Sequence, residues 1–151
     1  MKSTFLGLIA GCCLLSGFPA FAQAPARPDK KIEVQLLWGT DSDTSPNPNH
    51  KPVEPDVHKR LKALPLRWSH YFVVTNVTLS VPRGKSARTP ISSKCAIEVK
   101  DLGQHNLEIS YFGRDKKVVK QTQALPRGEM LFYGGNAPGT NAWLVMLKRL
   151  E

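Results

Sequence analysis

Cysteine is scarce: the 151-residue chain has three, at positions 12, 13 and 95. Cys12 and Cys13 fall in an N-terminal stretch that reads as a cleaved leader, so the processed chain would keep Cys95 alone and could form no internal disulfide. Aromatic residues make up only 8%, and acids are outnumbered by bases, 12 to 21. After the leader, no run approaches the roughly 18 apolar residues of a helical membrane span. HExxH, GxSxG and SxxK are all missing, which leaves zinc proteolysis and serine acyl transfer without a recognisable motif. Carboxylates are too sparse to announce a glycosidase pair. In excess are turn formers, 12 prolines and 11 glycines. They punctuate the chain too often for long helices and favour short strands joined by turns.

Lys2, the apolar run over residues 5–18 and Ala20-Phe21-Ala22 read as a signal peptide, residues 1–22, cut before Gln23. The rival is a lipoprotein anchored at Cys12, since Ile9-Ala10-Gly11-Cys12 imitates a lipobox. Against it, Leu14, Leu15, Phe18 and Phe21 carry the apolar run past that cysteine. The expected product is exported, periplasmic or secreted. Residues 23–30, rich in proline and alanine, form a flexible lead, and residues 31–151 form a single β-rich domain, long enough to bury about two thirds of its unfolded surface. The formal net charge of +9 drops by one with Lys2 and still favours anionic partners.

Ile32, Val34, Leu36 and Trp38 alternate with polar residues, the period of a half-buried strand. A loop follows, TDSDTSPNPNHKPVEP, whose four prolines argue against a ladder. One helix is predicted from Pro55 to the stop at Pro65, with acids at its start, bases at its end, and Val57, Leu61 and Leu64 on one face. From Tyr71 the period is two: Tyr71, Val73, Thr75, Val77, Leu79 and Val81 on one face, then Cys95, Ile97 and Val99, then Leu107, Ile109 and Tyr111. Residues 117–125 are β-capable without a clear face. Residues 130–133 and 142–147 are continuous apolar runs that suit strands covered on both sides. The joints are short, so successive strands are expected to be antiparallel neighbours. Val81-Pro-Arg-Gly84 and Leu125-Pro-Arg-Gly128 repeat a turn signal. The expected fold is mainly β, an antiparallel sandwich or partly closed barrel with one short N-terminal helix.

Few motifs point to chemistry. Asp41-Ser-Asp43-Thr-Ser45 imitates the start of a calcium loop but has Pro46 where the turn needs glycine and Pro52 where the bidentate glutamate belongs. His50, His58, His70 and His105 are scattered, so no metal site and no cofactor is expected. Cys95 shares a strand face with Ile97 and Val99 and reads as a buried, inert thiol. The glycine-rich residues 134–139 lack the ending of a phosphate loop and read as a turn between strands. Arg67 beside Trp68 and Arg114 near Phe112 are thin support for nucleic-acid binding, which export further disfavours.

The helix ending in Leu-x-x-Pro, the Trp68-x-x-Tyr71-Phe72 approach to the β region, and the terminal Gly134-Gly135 and Ala142-Trp143 pairs resemble those of a family of small exported bacterial β-rich proteins. The resemblance covers residues 31–150 and implies no activity, ligand or catalytic residue. The expected function is a non-catalytic exported or envelope β module that binds an anionic envelope polymer or another envelope protein. Peripheral membrane contact stays open. The alternative is a periplasmic enzyme with a site assembled from loops. The expected contact is the basic cluster Lys59, Arg60, Lys62 and Arg67 around the helix and its exit.

Overall fold

The computed structural model describes residues 28–151 apart from 115 and 138. The signal-peptide and lipobox readings fall on residues 1–22, outside the described residues. The elements are β1 (Lys30–Thr40), β2 (Lys51–Pro52), α1 (Pro55–Lys62), β3 (His70–Val81), β4 (Ser86–Pro90), β5 (Cys95–Asp101), β6 (Asn106–Gly113), β7 (Lys116–Ala124), β8 (Met130–Asn136) and β9 (Ala142–Arg149). They form two antiparallel sheets, one in the order β2-β3-β1-β9-β8 and one in the order β4-β5-β6-β7. The described residues are mainly β with one short helix, and neither sheet closes into a barrel.

Alternation along the strands sorts the apolar side chains into two cores. Ile32, Val34 and Leu36 of β1, Leu79 and Val81 of β3 and Leu147 of β9 join Ile97, Val99, Leu107 and Ile109 of the second sheet in one cluster. On the opposite face of the five-stranded sheet, Leu37, Tyr71, Leu144 and Met146 pack with Val57 and Leu61 of α1. Strand β9 lies between the two cores, which is why residues 142–147 read as continuously apolar. The helix ends at Lys62, one turn before the expected stop at Pro65, and Leu64, expected on its buried face, is 37% exposed.

The long period-two run of β3 does not stay on one face. Leu36 pairs with Thr75 but Leu37 pairs with Val73, so Val74 is an extra residue, a β-bulge. The bulge turns Tyr71 and Val73 toward α1 while Leu79 and Val81 face the second sheet. A second correction concerns the proline-rich loop: Lys51 and Pro52 do pair with Val73 and Phe72. Proline is tolerated there because β2 is an edge strand whose outer side needs no donor.

The repeated Pro-Arg-Gly turns are the two places where the chain passes from one sheet to the other, β3 to β4 and β7 to β8. Short joints therefore do not make those strands neighbours, contrary to the expectation for them. Val81 and Leu125 are fully buried just before each turn. Lys85 N–H donates to the Pro82 carbonyl at 3.0 Å and Glu129 N–H to the Pro126 carbonyl at 3.1 Å. Gly84 and Gly128 have φ of 69° and 79°, the left-handed conformation that the third position of a type II turn requires. The turn thus starts on the proline, one residue later than the sequence signal suggests.

Both turns lie at the same end of the sheets, and that end is tied. Asp101, at the end of β5, is 3% exposed and receives Lys30 Nζ from β1 in the other sheet. Its carboxylate also accepts Gly103 N–H at 2.9 Å and Gly84 N–H at 3.2 Å. Burial alone would push this carboxyl up, but Lys30 and the two amides outweigh it and hold it below the usual range. Close by, Arg149 of β9 donates to His105 Nδ1 at 3.0 Å and to the Leu125 carbonyl at 3.4 Å.

Candidate binding cleft

At the opposite end the sheets part. Between them lies a cleft of about 710 Å³, within the range of about 300–1,000 Å³ typical of small-molecule sites. From the five-stranded sheet it is lined by Leu36, Tyr133, Gly135, Trp143 and Val145. From the four-stranded sheet come Tyr111, Val118 and Val119, with the loop from Ile91 to Cys95 at the mouth.

Local sequence explains the opening. Strand β8 carries Gly134-Gly135 where other strands carry side chains. A Cβ at Gly134 would stand 2.8 Å from Cδ2 of the buried Leu144, which would have to shift to admit a side chain there. A Cβ at Gly135 would meet nothing within 4 Å; glycine at this position leaves the cleft open in front of its strand partner, Trp143. In β7, Tyr111 pairs with Val119 but Phe112 pairs with Lys117, so Val118 is a bulged residue. Val118 is 67% exposed, Val119 44% and Trp143 38%, a group of large apolar side chains that the fold leaves uncovered. Trp143 meets Trp38 edge to face, with ring centroids 4.6 Å apart.

The cleft floor is closed by Tyr111 of β6 and Tyr133 of β8, whose rings meet across the two sheets at 5.0 Å. Both hydroxyls are buried and neither has a hydrogen-bond partner among the described residues. Burial pushes both phenols up, and Tyr133 adds to the rise at Tyr111. They are therefore neutral at ordinary pH, unsuited to act as bases.

A smaller polar notch of about 140 Å³ adjoins the mouth and shares Ser92, Ser93, Lys94, Cys95 and Phe112 with the cleft, adding Arg88 and Arg114. The β6–β7 turn brings Arg114 N–H to the Lys94 carbonyl at 2.8 Å. Arg88 stacks over the Phe112 ring at 3.9 Å. Cys95 is exposed here, which corrects the buried, inert reading. It points along the face of Ile97 and Val99, which are fully buried, but it begins β5 at the open end.

The basic cluster expected to make contact lies elsewhere. Lys59, Arg60 and Lys62 are exposed on α1, which packs on the face of the five-stranded sheet turned away from the cleft. Arg60 pairs with Glu129 at 2.9 Å and Arg67 lies 5.2 Å over the Trp68 ring. The helix is also tied through Asp56, 2.7 Å from Lys148 of β9. Among the described residues, no three His, Cys, Asp or Glu side chains gather as metal donors. The sequence did carry a signal for the cleft, in two adjacent valines within the charged Lys116-Lys-Val-Val-Lys120 and two glycines within an apolar strand.

No family model, curated protein or solved structure matches the chain.

Proposed function

We propose that this chain is a non-catalytic exported binding module, a single β-sandwich domain of residues 31–151 delivered by a cleaved leader. The sandwich is tied at one end and splayed at the other, and it takes a small apolar ligand between its sheets. The observation that carries this reading is the cleft of about 710 Å³ with Val118, Val119 and Trp143 uncovered inside it. Exposed apolar area of this kind is unfavourable in water unless something occupies it. The state of the titratable groups supports binding over catalysis. The carboxylates with depressed pKa, Asp56, Asp101 and Glu108, are each held by a lysine, and the two tyrosines of the floor are held neutral.

An uncharged fluorescent probe, N-phenyl-1-naphthylamine, tests the reading. It is expected to bind saturably, and Val119→Arg is expected to weaken it at least tenfold. Leu102 is as exposed as Val119, at 44%, but sits at the tied end, so Leu102→Lys serves as the control and should bind like the parent. Absence of binding, or equal loss in both variants, would overturn the cleft as the ligand site.

A further inference from the structure

We infer that the ligand of the cleft is a single-chain anionic amphiphile, an alkyl carboxylate whose chain lies between the sheets and whose head group is held by Lys94 and Arg114. This rests on the reading of the cleft as a ligand site. Apolar lining alone would admit any hydrophobic molecule, so the inference turns on the mouth. There the lining changes from Val118, Val119 and Trp143 to Ser92, Ser93 and Lys94 within one continuous surface, and the adjoining notch adds Arg114. A backbone hydrogen bond joins Arg114 to Lys94, both residues line the notch, and both are exposed.

The surrounding charge is positive on balance. The turn that carries Arg114 continues Asp115-Lys116-Lys117, three cations to one carboxylate, and Lys117 Nζ lies 5.7 Å from the Phe112 ring that walls the notch. On the neighbouring strand, Arg88 stands opposite Glu98 in register. A carboxylate placed at the mouth would meet ammonium and guanidinium donors, the charge-assisted bonds that outweigh neutral ones. Its chain would cover the exposed valines, so one molecule satisfies both the apolar and the charged part of the site. An alkylammonium would meet repulsion at the same place.

Displacement of N-phenyl-1-naphthylamine by dodecanoate and dodecyltrimethylammonium below their micelle concentrations, and by dodecanol below its solubility limit, tests the inference. Dodecanoate is expected to bind at least tenfold tighter than dodecanol, with the ammonium weakest, and the advantage should shrink as salt rises. In the double variant Lys94→Gln/Arg114→Asn, dodecanoate and dodecanol should bind alike, with dodecanol unchanged from the parent. Asparagine is chosen because Arg114 has φ 48°, a conformation that asparagine accepts. Equal affinity for dodecanoate and dodecanol in the parent, or a preference that survives the double variant, would overturn the anionic head while leaving the cleft in place. Failure of all three to displace the probe would overturn the cleft as their site.

Discussion

The tied end makes a quantitative prediction. Asp101 and Lys30 are 2% and 12% exposed at their side chains, and Asp101 also satisfies the amides of Gly84 and Gly103. Asp101→Ala leaves a lysine and two amide donors without their acceptor. Removing one partner of a buried pair costs about 3–5 kcal/mol, a large part of the roughly 5–15 kcal/mol that holds a domain of this size. Asp101→Asn keeps one acceptor for the amides and should cost less, about 2 kcal/mol. Urea unfolding followed by far-UV dichroism measures both. The pH dependence supplies a second arm. The folded Asp101 carboxyl titrates below its usual 3.8, so its stabilisation is complete above that value and disappears as the pH falls through the lower folded value. The parent should therefore lose its advantage over Asp101→Asn in strong acid. A loss under about 1 kcal/mol for Asp101→Ala, or a difference from Asp101→Asn that persists below both titrations, would refute the role given to this pair.

Tyr111→Phe removes a buried hydroxyl that has no partner among the described residues and should raise stability by about 1 kcal/mol, a rise of roughly 3–5 °C in Tm for this size; calorimetry showing a fall would mean that the hydroxyl has a partner. Cys95 is exposed and should react with a thiol reagent in the native protein, and an occupied cleft should slow it; labelling only on unfolding would place it in the core. Reversing Lys59, Arg60 and Lys62 to glutamate breaks one exposed pair, Arg60 with Glu129, and should change stability by no more than about 1 kcal/mol. The same variant should bind the uncharged probe as the parent does, since the helix lies away from the cleft; a loss would connect the two faces.

Strand positions and the mainly β architecture were legible because a period of two survives in β5 and β6, where one face is buried, and in the Ile32, Val34 and Leu36 positions of β1. Legibility failed where the period is interrupted. The bulge at Val74 changes the face of β3 without any change in its alternation, because both of its faces meet an apolar core. Strand β7 gave no face because the opposite sheet leaves it almost wholly exposed, so burial imposed no pattern on it. Cys95 was misplaced for a related reason: alternation gives the direction of a side chain but not where the covering sheet ends. The cleft depends on that ending, on a bulge and on a missing side chain at Gly135. The charge cluster on α1 was visible in the sequence, but its separation from the cleft by a full sheet was not.

The chain holds three tryptophans, and their positions allow one decisive observation. Trp143 lines the cleft and Trp38 touches it. Trp68 packs with the helix-side core, its indole N–H donating to the Thr140 carbonyl. In a ¹⁵N-labelled sample titrated with dodecanoate, the three indole N–H resonances report separately on the cleft, its near wall and the far face. A ligand between the sheets should shift Trp143 strongly and saturably, Trp38 less, and leave Trp68 in place. A shift confined to Trp68, or three resonances unmoved while the ligand binds, would contradict the cleft as the functional site.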